Sequence, residues 1–316
     1  MNHRFAKLLF TLWVGVIAGT ARADDGSLLK YKFEKGGKTF FRSKTEMKQT
    51  QNFAGMTLEN SFNTESISSI TTDSVDEKGI SQVSIKGERM KIKAAFGPLG
   101  DFVFDSQSSD RDKSSVIGAA VTPLFERLSG SVYEASIAPD GEVLQVRGYA
   151  ELLKDLVEGN PLAAQFAGGG SNEAARQGLA DSFPRLSKVP VKVGDTWEVP
   201  FEIPLPNLGK TKGKSVFRYA GPDKVGDRIT AKIEVTSETS VDLNIEMDGA
   251  KITGTISTTS GSGTIQFDVA SGRVLSHQSK VALAGTLNIN ANGMDILLTN
   301  EQSMSSTTEY LEKLPE

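Results

Sequence analysis

The chain has 316 residues, 38% of them hydrophobic, with no cysteine, two histidines and a formal net charge of −4. Such a length buries a sizeable core without covalent staples, and the lack of cysteine excludes disulfides, thiolate nucleophiles and sulfur-ligated zinc or iron–sulfur centres. An acidic balance lacks the clustered Lys and Arg that phosphate backbones demand, so no nucleic-acid partner is expected.

The chain opens MNHRFAKLLFTLWVGVIAGTARADD. Arg4 and Lys7 precede an apolar run from Leu8 to Gly19, and Ala21-Arg22-Ala23 has the form of a cleavage site, so residues 1–23 read as a signal peptide cut after Ala23. Without cysteine there is no lipobox and hence no lipid anchor, and no later stretch is apolar enough for a transmembrane helix. The expectation is an exported protein, periplasmic or extracellular, whose mature part, residues 24–316, is a single β-rich domain.

Residues 24–147 read as a first β half. Leu29, Tyr31 and Phe33 alternate with Lys30, Lys32 and Glu34, a half-buried strand pattern. SISSITTDSV runs into a hairpin loop at Asp76-Glu77-Lys78-Gly79 and returns through Val83 and Ile85. The apolar phase then jumps to Met90 and Ile92, which places a bulge at Gly87. In FDSQSSDRDKS, Asp105, Asp110 and Asp112 lack EF-hand spacing, and Arg111 and Lys113 intrude, so a solvated loop and no metal are expected. The stretch SSVIGAAVTPLFERLSG reads as a short helix over 115–128, with Ile117, Val121, Leu124 and Leu128 on one face. Pro123 after Thr122 suggests a fresh helix start there, capped by Thr122.

Residues 148–187 form a helical insert. GYAELLKDLVEG carries one stripe, Leu152, Leu153 and Leu156, and SNEAARQGLADSFPRL another, Ala175, Leu179 and Phe183. GNPLAAQFAGGGS between them reads as a mobile hinge around Gly168-Gly169-Gly170.

Residues 188–316 form the second β half, opening with VPVKVGDTWEVPFEIPLP. From Trp197 the odd positions are apolar, whereas the even ones are polar or proline. Proline cannot donate a ladder hydrogen bond, so Pro200, Pro204 and Pro206 push this segment to a sheet edge or rim. LGKTKGKSVF lacks the spaced glycine of a P-loop, Leu208 standing there, and reads as a basic hairpin loop. His277 shares parity with Leu275, Val281 and Leu283 on an apolar strand face, which suits a structural histidine. No G-x-S-x-G elbow accompanies it, so no catalytic residue is assigned.

The halves echo each other. GGKTF (36–40) and VGDTW (193–197) each place a glycine turn and a Thr before an aromatic, and VYEASIAPDGEVLQVRG parallels TIQFDVASGRVLSHQSK around Gly141 and Gly272. Together with KFEKGGKTFF, FPRLSKVPVKVGDTW and FDVASGRVLSHQSKVALAGTLNI, these stretches resemble a family of exported bacterial proteins known only as a domain of unknown function. The resemblance runs from Leu28 to Thr308, its most specific piece being Pro190–Trp197. It implies a β-rich exported protein and brings no activity, substrate or cofactor.

The fold expected is mainly β: a large curved antiparallel sheet or open half-barrel built from two similar β-meanders, with helices covering its concave face. The function expected is non-enzymatic binding of an apolar, lipid-like ligand between sheet and helices. The expected ligand-binding residues are Trp197, Val199, Phe201, Ile203, Phe125 and Leu275, with no cofactor. A structural or partner-binding protein with a packed core is the alternative, and a hydrolase comes third.

Overall fold

The computed structural model describes residues 26–315, except 112, 114, 168–169, 181, 206–208, 248–249 and 292–293. The segment read as a signal peptide therefore lies outside the described residues. Among the described residues, twelve strands follow in chain order: β1 (Lys38–Phe53), β2 (Met56–Val75), β3 (Ser81–Phe96), β4 (Asp101–Asp105), β5 (Val132–Ile137), β6 (Val143–Arg147), β7 (Thr196–Leu205), β8 (Gly209–Val225), β9 (Arg228–Met247), β10 (Ala250–Asp268), β11 (Arg273–Ala291) and β12 (Met294–Leu311). Helix α1 (Val116–Leu128) precedes β5, and α2 (Tyr149–Val157), α3 (Pro161–Phe166) and α4 (Asn172–Ala180) separate β6 from β7.

All strands join one sheet in the order β6-β5-β3-β2-β1-β12-β11-β10-β9-β8-β7, with β4 paired to β3. The pairings are antiparallel throughout, and the sheet is not closed into a barrel. Two meanders thus meet where β1 pairs with β12, while β6 and β7, consecutive in sequence, form the two free edges. Strands about 4.8 Å apart would set these edges roughly 50 Å from each other in a flat sheet. Yet Val146 of β6 belongs to the same buried cluster that Val199 of β7 packs against. The sheet must therefore curl strongly toward its core-bearing face.

Glycines permit that curvature. A Cβ at Gly213, Gly261 or Gly285 would lie 2.2 Å from a carbonyl oxygen of the neighbouring strand, respectively Glu238, Ser237 and Thr255. Only glycine allows so close an approach inside a strand. Extra residues bend the sheet as well: Glu88 beside Gly87 is the bulge anticipated there, and Leu275 is a second one, since Gln266 faces Ser276 while Phe267 faces Val274.

The main core lies at one end of the strands and gathers Phe41, Ile70, Val83, Ile137, Phe217, Ile233 and Phe267. A strap formed by residues 27–37 crosses this end. Tyr31 N–H donates to Pro139 O at 2.8 Å, Lys32 N–H to Gly272 O at 3.0 Å, and Gly36 N–H to Thr72 O at 2.8 Å. The strap passes over the two echoing hairpins: a Cβ at Gly141 would meet the Tyr31 ring, and one at Gly272 the Lys32 backbone. A second cluster joins Ile117, Val121, Leu124 and Phe125 of α1 to Ile92, Phe102, Phe104 and Leu153.

Four local expectations are corrected: Leu29 to Glu34, read as a half-buried strand, lie in the strap and outside every strand, although their burial alternates as the pattern indicated. Helix α1 runs unbroken through Pro123, because Ser115 Oγ already caps it by accepting from Gly118 N–H at 2.9 Å; Thr122 is buried inside the helix rather than capping a new one. The segment read as a hinge contains α3, started by Asn160, whose Oδ1 accepts from Ala163 N–H at 3.0 Å; Gly168 and Gly169 lie outside the described residues. From Gly209 on, the stretch read as a basic hairpin loop belongs to β8, with Lys210, Lys212 and Lys214 on the outer face, paired with Glu202, Asp242 and Glu198; Leu208 lies outside the described residues. Alternation of lysine with small residues is a strand signature here, because carboxylates on both neighbouring strands neutralise the charge.

Candidate ligand-binding face

The expected site residues fall in three places. Trp197 and Val199 flank the main core on edge strand β7, confirming the edge position that the prolines demanded. The Trp197 ring stacks on Phe217 with centroids 5.5 Å apart and planes 8° from parallel, and its Nε1 donates to Arg185 O at 2.9 Å. Phe201 lies further along the same strand, its ring over Gly213. Ile203 pairs with Thr211, but its side chain lies outside those described. Phe125 belongs to the other cluster, between Phe102 and Phe104. Leu275, as the bulged residue of β11, falls out of phase with His277, contrary to the shared parity read from the sequence.

Sequence reasoning missed the face that extends beyond the core. Directly paired residues of antiparallel strands point to one side, as do alternate residues of each strand. The core-bearing face can therefore be followed row by row toward the opposite strand ends. One row runs Phe62–Met47–Met304–Val281, the next Asn60–Gln49–Gln302–Leu283, then Leu58–Gln51–Asn300–Gly285, and then Phe53–Leu298–Leu287. Ile296, Ile289, Ile252 and Ile245 form a last row near the tips. Among the described residues of β1, β2, β9, β11 and β12 this face carries no Asp, Glu, Lys or Arg.

The charges lie on the other face. Arg42 and Lys44 of β1 pair with Glu65 of β2 at 3.4 and 3.7 Å, and Lys212 of β8 with Asp242 of β9 at 3.1 Å. Burial follows the same division: along β1 and β12 the inner residues are mostly half-buried and their neighbours mostly exposed. Leu297 and Leu298 show it in one pair, Leu297 being 65% exposed and Leu298 half-buried.

The inner seam between β1 and β12 is polar but neutral. Ser43 and Thr308 hydroxyls lie 3.1 Å apart, and those of Thr45 and Ser306 3.2 Å. Gln49 Nε2 and Gln51 Nε2 both donate to Asn300 Oδ1, at 2.8 and 3.3 Å, and Asn60 Nδ2 donates to Gln49 Oε1 at 3.3 Å.

Burial, reinforced by Asp140, holds the Tyr31 phenol well above its ordinary range, and its hydroxyl donates to Pro184 O at 3.1 Å. An open recess of about 530 Å³ beside Asp110, Arg111 and Lys113 lies at the loop expected to be solvated; Asp112 of that loop lies outside the described residues. Arg111 there donates to the Ser106 and Ser108 carbonyls and to Glu126, so its charge is already matched. Among the described residues no three His, Asp or Glu side chains cluster as a metal site, and no helix is long and apolar enough to cross a membrane.

Residues 78–274 match a family described as a family of unknown function, DUF6263, a narrower span than the resemblance read from the sequence. No curated protein matches the chain. Among solved structures, one on lipid–protein interactions in lipovitellin is 11% identical at a TM-score of 0.42, covering 90% of this chain and 26% of that one. The chain thus spans about a quarter of that protein's length. DynF from the dynemicin biosynthesis pathway of Micromonospora chersina is 9% identical at 0.20, covering 96% and 92%. A DUF1329 family protein from Desulfovibrio piger is 8% identical at 0.12, covering 87% of each chain. At these TM-scores none of the likenesses bears on function.

Proposed function

The chain belongs to the DUF6263 family of unknown function, and we propose that it is an exported, non-enzymatic carrier that holds an apolar or amphipathic lipid-like ligand on the inner face of its sheet. One observation carries the reading: the inner face stays free of Asp, Glu, Lys and Arg beyond the packed core, among the described residues of five strands. A face meant for water gains solubility from charge, as the outer face of the same strands does, whereas a face that receives acyl chains must avoid desolvating ions.

The ligand position differs from the one expected from the sequence. Beneath the helices, Phe125, Phe102 and Leu153 already fill the space with one another. In this reading α1 to α4 and the strap cover the core end of the concave face, and the ligand lies beyond them, toward Phe53, Leu287 and Leu298. Phe201 at the β7 edge joins it, while Trp197 anchors the rim. The pattern of residues 1–23, read as a leader cut after Ala23, supports export, and the envelope is where a carrier meets lipid.

Mass spectrometry of organic extracts from protein purified out of the periplasm tests the reading. Stoichiometric lipid is expected. A lipid-free preparation that also fails to bind a fluorescent acyl probe contradicts it.

A further inference from the structure

Five carboxamides, Gln49, Gln51, Asn60, Asn300 and Gln302, sit together on β1, β2 and β12 in two adjacent rows of the inner face. Apolar rows bound them on both sides, with Met47 and Phe62 toward the core and Phe53 and Leu298 toward the tips. We propose that this cluster is the polar anchor of the binding face and selects a neutral lipid with an ester or hydroxyl head, an acylglycerol in chemical class, over fatty acids and phospholipids. The inference rests on the carrier reading and specifies its ligand.

Asn300 is the centre of the cluster. It is only 1% exposed, and its Nδ2 is buried without a hydrogen-bond partner. Its Oδ1 accepts from both Gln49 and Gln51. A buried polar atom without a partner is uncommon in native proteins and calls for an explanation such as a bound group. Gln302 is also weakly served, its Nε2 lying 3.1 Å from the Met47 sulfur, a poor acceptor. Gln49 and Gln51 are only half-buried, so rotation of either side chain gives a ligand oxygen access to Asn300.

Charge decides the ligand class. A phosphate or carboxylate head placed here would meet carboxamides and hydroxyls but no Lys or Arg among the described residues of these strands' inner face. An unpaired anion on a largely apolar surface is strongly disfavoured. An ester carbonyl or a hydroxyl, in contrast, exchanges hydrogen bonds with the amides at little cost while its chain lies over the flanking apolar rows.

Three probes with the same pyrene-labelled chain separate the outcomes: a monoacylglycerol, the ionised fatty acid at pH 8, and an alkane. The full-length mature protein is expected to bind the monoacylglycerol at least threefold more tightly than either other probe, about the worth of one neutral hydrogen bond. Asn300→Leu is expected to abolish that preference, lowering monoacylglycerol affinity to the level of the alkane. Gln51→Leu, at a half-buried position, repeats the test if Asn300→Leu unfolds at the assay temperature. Equal or tighter binding of the fatty acid, or a preference that survives both substitutions, overturns the anchor while leaving the carrier reading intact. Failure of all three probes to bind overturns both.

Discussion

Phe201 lies so close over Gly213 of the neighbouring strand that a Cβ there would stand 2.6 Å from the ring's Cζ and 2.2 Å from the Glu238 carbonyl oxygen. The bend of the sheet at β8 therefore depends on a missing side chain. Gly213→Ala is expected to lower stability by about 1–3 kcal/mol, as overpacking does, when measured by chemical denaturation. An unchanged midpoint would show that the sheet does not need this bend.

Trp197 is held by stacking on Phe217 and by one hydrogen bond, to Arg185 O. Trp197→Ala is expected to cost about 3 kcal/mol, the lower end for an aromatic because the ring is half-buried. Trp197→Phe keeps the stacking and loses only the hydrogen bond, about 1 kcal/mol. Equal losses in the two variants would mean that the ring contributes little and that Arg185 O carries the effect.

The strap makes the core end sensitive at Gly272. Gly272 has φ +63°, and a Cβ there would meet Lys32 N at 2.6 Å, whereas Gly55, also at positive φ, has nothing within 4 Å. Thermal unfolding of Gly272→Ala and Gly55→Ala compares backbone strain alone with strain plus collision. The first variant is expected to melt lower by several degrees more than the second.

Alkaline pH should destabilise the fold. Burial raises the pKa of Tyr31, Tyr133 and Tyr149, with Asp140 adding to the effect on Tyr31. Neutral phenols are thus favoured in the folded state, so their contribution is complete below the unfolded value near pH ~10 and declines as pH rises from there toward the folded values. The urea midpoint is expected to fall between about pH 9.5 and 11.5, and less steeply in Tyr31→Phe. An identical slope in the variant would remove Tyr31 from the explanation.

The edge position of β7 was legible in Pro200 and Pro204, the bulge at Gly87 in a phase jump, and the hairpins in Gly141 and Gly272. Local chemistry imposes each of these. The pairing of β1 with β12 was not legible, since it joins Gln49 to Gln302 and Gln51 to Asn300 across most of the chain. Strand β1 also hid its own period. Hydrophobicity alternates poorly because its inner face carries Ser43, Thr45, Gln49 and Gln51, yet charge alternates cleanly through Arg42, Lys44, Glu46 and Lys48. Charge period, rather than apolar period, was the signal that could have found the face.

Leu297 and Leu298, neighbours on β12 that point to opposite faces, offer the most direct test of the carrier account. A fluorescent fatty-acyl probe is to be titrated into the unmodified protein over residues 24–316 and into its Leu298→Glu and Leu297→Glu variants, with folding verified by circular dichroism. The account predicts that Leu298→Glu, which puts a charge on the inner face, weakens binding at least tenfold, while Leu297→Glu leaves it at the unmodified level. Equal affinities in the two variants, or loss with Leu297→Glu alone, would contradict it.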